Sequence, residues 1–225
     1  MTSERTLIAS DWHLSRYSSA ETSTLALAFL ERARDSGDDV ILNGDIFEGL
    51  FEPVALSEAA HPHVASLMGA MSRTGQLRRT EGNHDPGAGA AAIVLGHERL
   101  GPILVMHGHV ADPLRMSPVG RLGDFISRRF GWIPAVRLAA RLAEQSASLT
   151  AHRLEQVFSR RCRDLVARRL SGGVGGIGIF GHIHRQYLVA GDRYANAGHL
   201  ADQRLEFIAI SRDGADAKHL DISEL

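Results

Sequence analysis

Five short polar groups in this 225-residue chain carry side chains that bind metal ions, and each closely follows an apolar run. Asp11-Trp12-His13 comes after TLIAS, and Gly44-Asp45-Ile46-Phe47-Glu48 after VILN. Gly82-Asn83-His84-Asp85 trails the weaker run QLRRT. His107-Gly108-His109 follows ILVM, and Gly181-His182-Ile183-His184 follows IGIF. Imidazole, carboxylate and amide oxygen without thiolate suit borderline or hard divalent cations such as Mn²⁺, Fe²⁺ or Zn²⁺. Alternate residues of an extended chain share a face, so Asp11 with His13, and His182 with His184, are expected to aim the same way. A glycine ahead of Asp45, Asn83 and His182 lets the backbone turn sharply or approach closely. Asp11, His13, Asp45, Asn83, His107, His182 and His184 are more ligands than one catalytic ion with an open position takes. Two ions sharing a carboxylate, about 3.5–4 Å apart, would use them all. Water bound to a single zinc ion already has its pKa lowered from about 15.7 to about 7, so a hydroxide bridging two cations is a nucleophile available near neutral pH.

Those groups need a scaffold that gathers strand ends. Thr6 to Ser10, Val40 to Asn43, Gln76 to Thr80, Ile103 to Met106 and Ile177 to Phe180 read as short buried strands. Ser19 to Ser36 has helical spacing, with Gly37 as its stop, and a second helix is expected over Ser57 to Ser72. The last forty residues change to a strand-rich pattern: Tyr187 to Val189, Arg193 to Asn196, Arg204 to Ile210 and Lys218 to Ile222, with turns at Gly191 and Asp213-Gly214. Strands alternating with helices, then a strand-rich end, predict a layered α/β sandwich with a mixed sheet. In open α/β sheets ligands bind beyond the carboxyl ends of strands, so five such ends would converge on one place.

The bulk composition sets limits around that site. Hydrophobic content of 44% and charged content of 23% are those of a globular protein, and 225 residues form one domain with room for an insertion. The single cysteine, Cys162, excludes an intramolecular disulfide and a thiolate-rich zinc site and suits a reducing compartment. The N-terminal apolar run is too short for a signal peptide, and no stretch approaches the roughly 20 apolar residues of a membrane span. The expected location is the cytoplasm.

Residues 112–171 form a long excursion between ILVM and IGIF that reads mainly as helices. Arginines 115, 121, 128, 129, 137, 141, 153, 160, 161, 163, 168 and 169 stand there against Asp124, Glu144, Glu155 and Asp164. The near-neutral chain, net charge -1, thus concentrates positive charge in one segment. Phe125, Ile126, Phe130, Trp132, Ile133, Val136, Leu138 and Leu142 are interleaved with it. Two readings fit: a helical cap with solvated arginines, or a basic amphipathic surface for phosphate groups or an anionic membrane face. It could equally be a surface between subunits.

The order D-x-H, G-D-x-x-E, G-N-H-D, H, G-H-x-H resembles that of the calcineurin-like metallophosphoesterases, from Asp11 to His184. That resemblance implies a four-layer α/β/β/α sandwich with a helical cap and two divalent metal ions, Mn²⁺ foremost. It implies one ion on Asp11, His13, Asp45 and His184. The second would lie on Asp45, Asn83, His107 and His182, with Asp45 shared. It makes His84 the general acid, which contributes typically 10²–10⁴-fold, and Glu48 the carboxylate that orients it, one methylene longer than the family's usual aspartate.

GDIFEG, MHGH, the arginine-rich insertion, GHIHRQ and YANAGHL together resemble the bacterial UDP-diacylglucosamine pyrophosphohydrolases of lipid A synthesis. The resemblance implies a nucleotide-lipid diphosphate as substrate, a lid over the site and peripheral contact with the inner membrane face. His109 and His199 depart from that group, and some of its members carry arginine where this chain has His84. A diesterase or nuclease of the same superfamily, a phosphomonoesterase, and a non-catalytic metal-binding scaffold are the rivals. Nucleic acid ranks lower because the insertion offers few stacking aromatics. Asp85 and His109 are expected in supporting or substrate-facing positions, with a solvated loop as the alternative for His109. Asn196 and His199 are expected to line the site, and His61 and His63 to sit on an exposed helix.

Overall fold

The computed structural model describes residues 5–130, 133–135, 151–170, 175–201 and 203–225. Trp132, Val136, Arg137, Leu138, Arg141, Leu142 and Glu144 of the expected cap lie outside the described residues.

Two mixed sheets stack face to face. The first is built on β1 (Arg5–Ala9), β2 (Asp39–Asn43) and β3 (Leu77–Thr80), parallel to one another in that order. Antiparallel to β1 runs the long strand β10 (Arg204–Ser211), followed by β11 (Gly214–Asp221); the short β9 (Leu200–Ala201) also pairs with β10. The second sheet has the order β4 (Ile93–Leu95), β5 (Ile103–Val105), β6 (Ile177–Phe180), β8 (Tyr194–Asn196), β7 (Tyr187–Leu188). Its three central strands are parallel and its two edges antiparallel.

Strand alternation explains the layers. In β1 and β2, Leu7, Ala9, Val40 and Leu42 face one core while Ile8 and Ile41 face the other. The first core is closed by α1 (Ala20–Ser36) and α3 (Pro62–Arg73), through Leu25, Phe29, Leu30, Met68 and Met71. The second lies between the sheets, where Ile8, Ile41, Ile208 and Ile210 meet Ile103, Val105, Ile177 and Ile179. Leu104 and Phe180 point outward, and α5 (Ala151–Arg169) covers them with Phe158, Cys162 and Val166. Helix, sheet, sheet and helix form the four expected layers. The strands are buried on both faces, which is why they read as apolar runs without a clean alternation.

Helix α1 is bounded as its sequence dictates: the Ser19 side chain accepts from Thr22 N–H, and Gly37 takes the left-handed conformation at φ 72°. The helix expected over residues 57–72 is instead two, α2 (Val54–Ala60) and α3. Proline 62 disfavours helical geometry in the residue before it, and His61 sits at φ -125°, ψ 57°. His61 is therefore buried rather than exposed, held by the Ser23 hydroxyl and the Ser15 carbonyl. Beyond β5 the chain forms α4 (Pro118–Phe130), whose outer face leaves Val119, Leu122 and Phe125 75%, 57% and 62% exposed.

Candidate metal centre

All five polar groups meet at the carboxyl ends of β1, β2, β3, β5 and β6. The loops after β1 and β2 are joined to each other, with Asp11 N–H donating to Gly44 O at 3.2 Å and His13 N–H to Asp45 O at 3.0 Å. Asn43 ties both sheets together beneath them. Its amide nitrogen donates to Met106 O at 3.1 Å and Ile179 O at 3.3 Å, and its oxygen accepts from Thr80 at 2.8 Å.

The way the ligands converge differs from strand alternation. Asp11, His13, Asp45, His182 and His184 have φ of 56°, 46°, 55°, 76° and 51°, so the chain kinks at each instead of extending. Among the described residues these are all of the non-glycine residues with positive φ. Left-handed backbone at such residues costs on the order of 1–3 kcal/mol each and persists where the surroundings enforce it. The glycines serve close approach as expected. A Cβ on Gly181 would lie 1.9 Å from the Ser10 hydroxyl, and one on Gly82 2.1 Å from Asp45 Oδ1.

Three donor groups result among the described residues, and two of them gather the expected ligands. In one, His184 Nε2 lies 3.2 Å from Asp11 Oδ1 and 3.0 Å from His13 Nε2. In the other, His107 Nε2 lies 3.0 Å from Asp45 Oδ2 and 3.3 Å from Asn83 Oδ1, with His182 completing the group. Asp45 Oδ2 is also 3.9 Å from His13 Nε2, so it faces both clusters. His182 and His184 fall in different clusters. Secondary bonds aim the inward atoms. Asp11 Oδ2 accepts from Ser10 and His182 N–H, leaving buried Oδ1 without a hydrogen bond and facing the imidazoles of the centre. Asp45 Oδ1 accepts from His84 N–H at 2.7 Å, His107 Nδ1 faces Asn43 O at 3.0 Å, and Asp112 Oδ2 holds His182 Nε2 at 2.9 Å. An orphaned carboxylate oxygen and crowded imidazole nitrogens are what a set of cation ligands presents, and oxygen and nitrogen donors without sulfur fit hard or borderline divalent ions.

His84 forms the third donor group, with His13 and Glu48, beside the other two. Its Nδ1 is 2.9 and 3.0 Å from the two oxygens of Glu48, while Nε2 faces Asp45 Oδ2 at 3.9 Å. The longer glutamate reaches because Leu50 and Phe51 N–H pin its Oε1. Asp85 sits beneath the ligands, not among them: Oδ1 accepts from Asp45 and Gly82 N–H, and Oδ2 from Ile46 N–H and Arg79.

Charge and burial oppose each other here. Burial works against ionisation of Asp11 and Asp45, but His107 and neighbouring imidazoles outweigh it and hold both carboxyls well below their ordinary range. Burial likewise works against a charged His107, yet Asp45 and Asp11 raise it to about 9. His182 is lowered, mainly by burial.

The remaining expected residues divide. His109 is half-buried with its ring 5.7 Å from that of His107, and burial lowers it to about 4, so it is not a solvated loop residue. His199 stacks on His184 at 5.5 Å with planes 9° apart, and its Nδ1 is 3.4 Å from Glu206. Asn196 does not line the cleft. It is fully buried, donating to Gly181 O at 2.6 Å and accepting from Gly198 N–H at 3.0 Å, and so braces the loop carrying both histidines. Asp112, Glu206 and Arg115 are the residues sequence reasoning did not single out. None falls in a spaced motif, and only Asp112 gave a signal, as the acid nearest the HGH group.

No protein-family model matches the chain, and no curated protein matches it. Among solved structures it is similar to a dimetal phosphatase from Danio rerio at 11% identity, covering 95% of this chain and 98% of that one, TM-score 0.46. A single-mutant Vps29 from Entamoeba histolytica aligns at 14% identity over 96% and 98%, TM-score 0.43. An uncharacterised protein described as a predicted phosphoesterase, from Streptococcus pneumoniae, aligns at 15% over 98% and 99%, TM-score 0.39.

Proposed function

We propose that this chain is a metal-dependent phosphoester hydrolase working with two divalent cations. The observation that carries the reading is the set of five strained non-glycine residues, every one a candidate ligand, converging with Asn83 and His107 on one cleft. Two cations bound there would supply charge to neutralise phosphoryl oxygens and to acidify water near neutral pH. Asp11, His13 and His184 would hold one ion, Asn83, His107 and His182 the other, and Asp45 would serve both. The oxygen and nitrogen donors suit Mn²⁺, Fe²⁺ or Zn²⁺, and Mn²⁺ is the ion to test first.

The chain supplies the proton. Glu48 fixes Nδ1–H of His84, which leaves Nε2 facing the cleft to protonate the departing oxygen. Asp85 and Asn196 keep the ligand loops in register. His109 and His199 flank the cleft as substrate-facing groups.

The finer proposal is the diphosphate of a nucleotide-lipid, with UDP-diacylglucosamine as the model compound. It is supported by the exposed apolar face of α4, running through Val119, Leu122, Phe125 and Ile126. Arg128 of the same helix donates to the Gly49 and Asn83 carbonyls, which ties α4 to the loops carrying Glu48 and Asn83. A lid over the cleft within 112–130, with peripheral contact at an anionic membrane face, follows from the same helix; no described helix is long and apolar enough to cross a membrane. The test is product analysis with Mn²⁺ on UDP-diacylglucosamine, a nucleotide diester and a phosphomonoester. Cleavage of the diphosphate into a nucleoside monophosphate and a lipid phosphate is expected. Hydrolysis of the monoester alone would sink the lipid-diphosphate reading.

A further inference from the structure

Arg115 belongs to the insertion, yet its guanidinium reaches the candidate metal centre. One end of the Asn83 amide lies 3.0 Å from His182 Nδ1 and 3.3 Å from His107 Nε2. The other end lies 3.2 and 3.0 Å from Nη1 and Nη2 of Arg115, and 3.2 Å from His84 Nε2. Which end is oxygen is decided by neighbours, not by shape. Hydrogen bonding alone turns the oxygen to Arg115, which has only donors to offer. Metal ligation requires the oxygen at the His107 and His182 end. The amide cannot do both. Once the oxygen faces the ion, the amide N–H₂ confronts the guanidinium, and donor meets donor. Asp124 of α4 still holds Nε at 3.1 Å and Nη2 at 2.8 Å, so the group stays in place with Nη1 lacking an acceptor among the described residues. Its side chain is only 17% exposed, which limits the water that could replace one.

Resting on the two-cation reading, we propose that Arg115 binds a non-bridging phosphoryl oxygen of substrate or product, and that the Asn83 amide makes this binding conditional on metal. Without the ion the guanidinium is occupied by the Asn83 oxygen. With the ion it is released beside His84, where a phosphate on the cleft would sit. Asp124 is a positioning residue, acting through Arg115. The order of binding follows: metal first, phosphate second.

Calorimetric titration of Mn²⁺ and then inorganic phosphate into wild type, Arg115→Ala, Arg115→Lys and Asp124→Asn tests this without turnover. Arg115→Ala should take up Mn²⁺ in full, with affinity undiminished because a competitor for the Asn83 oxygen is gone. Its phosphate affinity should fall about tenfold to a hundredfold, the effect of losing a charged hydrogen bond. Arg115→Lys should recover part of that loss, and Asp124→Asn should show a smaller one with Mn²⁺ uptake intact. Phosphate binding by wild type should also vanish when Mn²⁺ is withheld. Full Mn²⁺ uptake with phosphate affinity within twofold of wild type in both Arg115→Ala and Asp124→Asn would overturn the role of Arg115 alone. Wild-type protein that takes up no Mn²⁺ would sink the two-cation reading and this inference with it.

Discussion

His84 is where the chemistry of single residues can be separated from metal binding. It shares a third donor group with His13 and Glu48 and lies outside the two groups assigned to the ions, and its orientation comes from Glu48. His84→Ala should therefore retain both ions by elemental analysis. Its kcat should fall about 10²–10⁴-fold on esters with poor leaving groups and far less on nitrophenyl esters, which leave without a proton. Loss of the metals, or an equal drop on both ester types, would remove His84 from the acid role. His107 gives a second residue-scale expectation. Burial disfavours its charge, but Asp45 and Asp11 raise it to about 9 in the metal-free protein. A ligand imidazole must be neutral, so loading near pH 7 displaces its proton, and metal affinity should rise as pH climbs toward 9. Calorimetry in buffers of differing ionisation enthalpy reads the proton release directly; zero release at pH 7 would contradict a protonated His107 in the metal-free protein.

At the scale of elements, Asp85 joins the loops after β2 and β3 by accepting from three backbone N–H groups and Arg79. Asp85→Asn turns one acceptor into a donor facing donors, in a buried network. It should cost about 3 kcal/mol in denaturant unfolding and weaken metal uptake, although Asp85 is no ligand. A loss under about 1 kcal/mol would show the loops stand without it. On the opposite side, Arg163 of α5 holds Asp192 by hydrogen bonds at 2.7 and 2.6 Å, outweighing burial and lowering Asp192 to about 2. A depressed carboxyl contributes stability that is present above its ordinary pKa of about 3.9 and lost as pH falls through about 2. The difference in stability between wild type and Asp192→Asn should therefore shrink between pH 4 and pH 2. A difference that stays constant across that window would contradict the pairing.

These elements also show why some features were legible in the sequence and others were not. Strand ends could be found because both faces of β1, β2, β5 and β6 are buried, giving apolar runs with sharp polar ends. The Ser19 and Gly37 caps are local signals, and α1 follows them residue for residue. The break at His61 was equally local, written in Pro62, but the apolar spacing ran across it. The ligand set was legible by residue type, whereas its geometry was not: alternation at D-x-H and H-x-H gives way to left-handed kinks enforced by tertiary contacts. Arg115 and Glu206 meet the site through tertiary packing that no spacing encodes, whereas Asp112 is carried to His182 by the turn directly after the HGH group.

For the molecule as a whole, the insertion supplies two different things. Residues of α5 close the outer layer of the second sheet, while α4 leaves an exposed apolar face. If that face receives a lipid, Leu122→Ser with Phe125→Ser should raise KM for a lipid-linked diphosphate at least about tenfold, since each buried side chain is worth roughly 1.5–3 kcal/mol. Hydrolysis of bis(p-nitrophenyl) phosphate, which has no acyl chain, should stay within twofold. Equal losses on both substrates would assign the face to folding instead.

Two cations joined through Asp45 are what should make this cleft hydrolytic, and their stoichiometry can be read from turnover. Metal-stripped protein, held well above its metal dissociation constant, should be titrated with Mn²⁺ while hydrolysis of bis(p-nitrophenyl) phosphate is followed. Activity should be absent at the start and reach its plateau at two equivalents per chain, with Asp45→Asn inactive throughout. A plateau at one equivalent, or activity indifferent to metal, would contradict a shared two-cation centre.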